Sequence, residues 1–363
     1  MRRHWIDNLR WVTVLLVLLY HVIYYYNNKG VLGGYGGWGD GPQYQDVVMY
    51  VLYPWFMPLL FILAGISARY ALERQEAKEW FGSRTRKLLV PSTIGLFFFG
   101  FATGFFNTLA APAADLEGLP LLVKYLIWTI SGTGPLWFIQ VLWLLSLLLL
   151  LIRRFDASDR AWQACGRLGL VPIVLMDVMF WLGHKTLVMN PDSASAEGLW
   201  NLYKPLFYAI PFLMGYFIFS HDSVQHIVQR VWRPLMACAV VAGVTLVVTT
   251  FGQDNTLPQY LGTPLNNLYG YLMCLAMMGW FGCRFNGTGR VAEYMTRSSY
   301  GIYIVHYLIV NSLGYALRVA TTLQPLWVYV ILTLSVFTLS PLLYESLRRI
   351  PFLSWCIFGE KPK

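Results

Sequence analysis

The stretch RWVTVLLVLLYH at residues 10–21 is an apolar run bounded by two basic side chains, Arg10 and His21. A charged centre inside a membrane costs roughly 2.5–3.5 kcal/mol on insertion scales, so such groups face a protein interior or a watery cavity where they have a task. At 100° per residue, eleven steps return His21 to within about 20° of Arg10 and carry it about 16 Å farther along the axis. The spacing predicts one helix face with a cation near the membrane surface and an imidazole near mid-depth.

The remainder of the chain repeats the apolar signature. Of its 363 residues 57% are hydrophobic, 17% aromatic and only 12% charged, far from soluble usage. Apolar runs of about 20 residues recur to the C-terminus, so the expected fold is an all-α, polytopic transmembrane helical bundle. Spans read at 11–26, 46–70, 88–108, 121–152, 168–183, 200–220, 234–251, 264–283, 300–319 and 325–347 make about ten. Positive charge marks cytoplasmic loops. With an inside N-terminus only Lys29, Lys124, Lys185, Lys204 and Arg318 of the 27 Lys and Arg fall outside. That asymmetry places the N-terminus and C-terminus both in the cytoplasm, and it accounts for the net charge of +9 without a nucleic-acid partner.

The first span is too long and too polar for a signal-peptide core, and YYYNNKG at 24–30 holds no small-residue cleavage site, so it is expected to stay. None of the five cysteines maps to an outer loop, so no disulfide framework is expected, and no metal-ligand spacing appears. There is no fixed-period repeat and no long linker, so residues 1–363 read as a single membrane-embedded domain. The fourth segment is too long for one upright helix, and SGTGP at 131–135 is expected to break it. Broken helices at membrane depth line cavities.

The outer connection NNKGVLGGYGGWGDGPQYQD at 27–46 interleaves glycine with Tyr35 and Trp38, which suits either sugar stacking or a hairpin with interfacial aromatics. The segments MNPDSASAEGLW at 189–200 and FGQDNTLPQYLG at 251–262 read as loops over a pore mouth.

A neutral imidazole inside an apolar bundle can act as general base on a hydroxyl that attacks an acyl group, or can take the acyl group itself; His21 suits both routes, and a structural, hydrogen-bonded role also remains open. Asp7, three residues before Arg10, can hold its guanidinium or complement the helix dipole. RTRKLLVP at 84–91 brings Arg84, Arg86 and Lys87 within one turn, a set fit to grip phosphates and also to stop transfer. SSYGIYIVH at 298–306 places Tyr300, Tyr303 and His306 in the ninth span, the last two sharing a face. Asp177 in VPIVLMDVMFW is a carboxylate within an apolar run, able to orient a histidine or to face water. Trp137 and Gln140 flank the expected break, as cavity lining or as packing.

Taken in order, IDNLRWVTVLLVLLYH at 6–21, PLLFILAGIS at 58–67, RTRKLLVP at 84–91, PLWFIQVLW at 135–143 and SYGIYIVH at 299–306 resemble the integral-membrane acyltransferase family 3, which includes glucan biosynthesis protein C and polysaccharide O-acetyltransferases. The resemblance spans nearly the whole chain. It implies transfer of an acyl group, acetyl or succinyl, from cytoplasmic acyl-coenzyme A to a hydroxyl of an extracytoplasmic or lipid-linked glycan. It further implies a bacterial cytoplasmic membrane, with His21 in the catalytic position, Arg10 as its companion and Arg84 with Lys87 as the basic pair. Two departures stand out: Lys87 replaces the more usual arginine, and Ala64 stands where the family has a serine before its glycine. Such a function would set coenzyme A phosphates against Arg10, Arg84, Arg86 and Lys87, with the thioester reaching His21 near the midplane. The alternative is a proton-coupled transporter or flippase of a glycan or lipid-linked intermediate, which also uses broken spans and buried ionisable groups.

Overall fold

The computed structural model describes residues 3–27, 34–39, 41–110, 116–188, 203–253 and 258–360; Lys29 and the 189–200 loop lie outside the described residues. Within them every regular element is helical. Among the described residues, eight helical stretches are long and apolar enough to cross a membrane: His4–Tyr25, Tyr44–Leu72, Ala77–Ala110, Gly134–Phe155, Leu170–Leu187, Trp232–Thr250, Arg290–Ala320 and Pro325–Leu347. The other two expected spans differ for physical reasons. The sixth is Pro205–Phe217, whose 13 residues rise only about 20 Å. The eighth, Pro264–Arg284, has the length, but Asn266, Asn267 and its glycines lower its apolarity.

Contacts divide the chain into two compact units, each assembled from three segments. The first comprises 1–13, 50–82 and 141–296; the second comprises 14–49, 83–140 and 297–363. Helix α1 (His4–Tyr25) contributes residues to each.

In the first unit, α2 (Phe56–Leu72) packs on α3 (Pro205–Phe217) through two glycines. A Cβ at Gly65 would strike the Phe212 carbonyl oxygen, and one at Gly215 would strike the Ile62 carbonyl, so the backbones touch. Lipid offers no hydrophobic force between helices, and close backbone approach supplies dispersion instead. The start of α1 is tied in by Asn8, whose Nδ2 donates to the carbonyls of Phe285 at 2.7 Å and Gly287 at 2.9 Å. Arg69, which the charge count treats as a loop cation, is buried: it donates to Glu73 and Asp159, each at 2.8 Å, and stacks 3.9 Å from the Trp162 ring centroid. His221 stacks on the same indole at 3.9 Å and bonds through Nε2 to the Trp162 carbonyl at 2.8 Å.

In the second unit the fourth segment breaks where SGTGP predicts. Leu121–Ser131 ends, a tight turn at Gly134–Leu136 follows, and Trp137 begins the next helix. The short piece folds back along Phe101–Ala110, where a Cβ at Gly104 or Gly132 would meet the backbone carbonyls of Trp128 and Gly100. Helix α4 (Arg290–Ala320) supplies carbonyl acceptors to the end of α1: Tyr25 donates to Asn311 at 3.2 Å and Tyr26 to Gly314 at 2.6 Å. Helix α5 (Pro351–Phe358) ends in Gly359 at φ 62°, a left-handed turn that lies against the backbone of Arg86 and Lys87.

Candidate active site

Helix α1 runs unbroken from His4 to Tyr25, so Arg10 and His21 do occupy one helix. Arg10 is held at both terminal nitrogens of its guanidinium. Its Nη1 donates to Asp7 Oδ1 at 3.1 Å, the expected i,i+3 pair, and its Nη2 donates to Ser67 Oγ at 2.6 Å. Ser67 in turn donates back to the Leu63 carbonyl at 2.7 Å, which fixes the rotamer that receives Arg10. The family resemblance points to a serine at position 64, which is alanine here, whereas the serine that meets Arg10 is Ser67. The signal was present in AGIS, but only packing says which side chain faces α1.

His21 is partly buried and faces His306, which is fully buried on α4; their ring centroids lie 5.0 Å apart. His306 Nε2 is 3.1 Å from His21 Nδ1. The other nitrogen of His306, Nδ1, is 2.6 Å from the Tyr303 carbonyl, and His21 Nδ1 is also 2.9 Å from the Val17 carbonyl one turn below. Tyr307 and Tyr20 set ring edges against His21 at 5.1 and 5.5 Å. The helix break reaches this pair through Tyr303, whose hydroxyl donates to the Pro135 carbonyl, and through Tyr307, whose ring lies against Gly134 at φ 38°. Non-helical backbone at membrane depth needs such side-chain partners. Tyr303 and His306 thus share a face as expected, but the link between them runs through the backbone carbonyl and not the phenol.

The basic run 84–91 adopts a wide π turn at Thr85–Leu89. Pro91 has no N–H to give to the Lys87 carbonyl four residues back, and the Tyr300 hydroxyl donates to that carbonyl instead. Arg86 Nε donates to the Gly359 carbonyl at 3.2 Å, while Lys87 is exposed and Arg84 half-buried. The structure therefore brings Tyr300 together with the basic turn, a grouping the sequence did not suggest.

The remaining expected residues are dispersed. Gln140 Nε2 donates to the Ser92 carbonyl at 3.0 Å, tying two helices of the second unit, and Trp137 is partly buried beside Phe138. Tyr35 and Trp38 enclose Arg318: its guanidinium lies 4.6 Å from the Trp38 ring and 5.6 Å from Tyr35, and its Nη2 donates to the Gly37 carbonyl at 3.1 Å. Asp177 belongs to the first unit, where its Oδ1 is buried without a hydrogen-bond partner and no histidine bonds to it among the described residues.

A family model described as an acyltransferase domain, of acyltransferase family 3, matches residues 3–345. No curated protein and no solved structure matches the chain. That match contains α1 with both basic residues, the basic turn and the His306 helix, and with the apolar spans it leads to one statement: the chain belongs to acyltransferase family 3 and is an integral-membrane acyltransferase.

Proposed function

We propose that this enzyme transfers an acetyl or succinyl group from cytoplasmic acyl-coenzyme A to a hydroxyl of an extracytoplasmic or lipid-linked glycan, in a bacterial cytoplasmic membrane with both termini inside. The observation that carries the chemical part is the His21–His306 pair at 3.1 Å, a polar centre in an otherwise apolar stretch of α1 and α4. A neutral imidazole there takes the proton of an attacking hydroxyl, whose oxygen bonds the acyl carbon as the carbon–sulfur bond breaks; the proton then passes to the departing thiolate. Coenzyme A is anionic, and the turn carrying Arg84, Arg86 and Lys87 offers it cations on a backbone braced by Tyr300 and Gly359. Arg10, anchored by Asp7 and Ser67 on the helix of His21, is proposed as a further phosphate partner.

The test uses membrane vesicles carrying the enzyme, given acetyl-CoA and succinyl-CoA labelled in the acyl group, with the label followed into glycans and lipids. Wild type passes label to one hydroxylated product, and His21→Ala abolishes transfer while the protein still inserts. Retained transfer in His21→Ala sinks the role of His21. Uptake of a glycan with no covalent change favours a carrier instead.

A further inference from the structure

We infer that His306 is a positioning residue for the reaction, holding the proton of His21 on Nδ1 so that His21 Nε2 presents the reactive lone pair. The inference deepens the reading of His21 above and rests on it.

The argument is one of donors and acceptors. A carbonyl oxygen can only accept. Val17 and Tyr303 each place a carbonyl oxygen beside an Nδ1, at 2.9 Å on His21 and 2.6 Å on His306. Each Nδ1 must therefore carry a proton, since an unprotonated nitrogen would oppose lone pair to lone pair at hydrogen-bond distance. In a neutral imidazole the second nitrogen is then an acceptor. His306 Nε2 is left with a lone pair, and it lies 3.1 Å from His21 Nδ1, whose N–H is shared between it and the Val17 carbonyl. The opposite tautomer would break two contacts to keep one. The remaining nitrogen of the pair is His21 Nε2, and it bears a lone pair.

The same arrangement serves the second half of the step. When His21 Nε2 takes the hydroxyl proton, the charge that develops on the ring is met by the His306 lone pair at Nδ1, the place a carboxylate fills in a Ser-His-Asp triad. His306 is in turn locked: it is fully buried, its Nδ1 is held by Tyr303, and the Tyr303 phenol is held by the Pro135 carbonyl at the helix break. The SGTGP break thereby acquires a purpose, which is to place the carbonyl that anchors the histidine helix.

The test measures release of coenzyme A thiol from acetyl-CoA and succinyl-CoA, with glucan oligosaccharides as acceptor, for His306→Leu and His306→Gln beside wild type and His21→Ala. Removing the acceptor is expected to lower kcat about 100-fold, the low end of what positioned acid–base groups supply, with donor KM unchanged. His306→Gln, whose amide oxygen accepts from Nδ1–H, is expected to recover at least about tenfold of that loss. Adding His306→Leu to His21→Ala should cost nothing more, because the two act as a unit. A His306→Leu enzyme with wild-type kcat beside an inactive His21→Ala overturns the inference and leaves His21 standing; an active His21→Ala overturns the reading of His21 itself. A loss carried by donor KM assigns His306 to donor binding and also overturns it. Should His306→Leu fail to fold, nitrogen-15 spectra of histidine-labelled wild type decide. Protons on both Nδ1 atoms sustain the inference, and a proton on Nε2 of either neutral ring refutes it.

Discussion

Replacing Gly65 by alanine sets two known effects against each other. Alanine in a helix interior is favoured over glycine by about 1 kcal/mol through backbone entropy. At Gly65 the new Cβ would collide with the Phe212 carbonyl oxygen and lie 2.8 Å from the Tyr216 nitrogen and 3.1 Å from the Gly215 carbonyl carbon. All three are backbone atoms, so no side chain can swing away, and α2 must move off α3. Overpacking of this kind costs about 1–3 kcal/mol, and a collision with unyielding backbone belongs to the upper part of that range, so the net change after the gain of about 1 kcal/mol is a loss of about 1–2 kcal/mol. Gly82→Ala is the internal control: Gly82 also sits in a helix, but nothing lies within 4 Å of its would-be Cβ. Thermal unfolding of the detergent-solubilised protein, followed by tryptophan fluorescence, should show Gly65→Ala melting about 1–3 °C below wild type and Gly82→Ala at or above it. A Gly65→Ala protein that melts no lower than wild type refutes the backbone-contact argument.

Three further outcomes follow from single contacts. Tyr300→Phe removes the hydroxyl that satisfies the Lys87 carbonyl and should lower stability by about 1 kcal/mol and weaken donor binding, read as a raised KM with kcat retained; an unchanged KM would disconnect the brace from the basic turn. Ser67→Ala frees one side of the Arg10 guanidinium, which is partly exposed, and should raise donor KM about fivefold, equivalent to about 1 kcal/mol, whereas Ser67→Thr should keep it; equal KM values in all three would count against Arg10 as a phosphate partner. His221, outside the membrane-spanning stretches, is held below its ordinary range chiefly by burial, with the Arg69 guanidinium adding to that while the Trp162 carbonyl opposes it. Folding thus favours its neutral form: the contribution is complete above the unfolded value of about 6.5 and is lost as pH falls through the lower folded value. The melting temperature should decline as the pH falls from about 6.5 to the lower folded value, and His221→Gln should flatten that decline; identical pH profiles would refute it.

The broken fourth segment shows where sequence reasoning reached furthest. Glycine and proline act within a few residues, so SGTGP announces its own turn, and the structure breaks there. The Asp7–Arg10 pair was equally legible, because i,i+3 neighbours are set by helix geometry alone. Arg69 shows the opposite case. Counting cations along the chain treats it as a topology marker, whereas Glu73, Asp159 and Trp162 converge on it from sequence distances that no local pattern encodes. The expected span 200–220 runs past Phe217, where the helix ends, because Ile218 and Phe219 are also apolar and hydropathy does not register where the backbone leaves the helix.

Residue chemistry along the chain sufficed to establish an all-helical membrane protein, the one-face arrangement of Arg10 and His21, and family membership, since each depends on composition, helical period or ordered motifs. Tertiary structure alone decided that the partner of His21 is His306, 285 residues away, that Ser67 and not position 64 meets Arg10, and that Tyr300 fills the carbonyl left open by Pro91. The reason is common to all three: a hydrogen bond is set by distances of about 3 Å between atoms, and residues far apart in sequence come within that distance only through packing of whole helices.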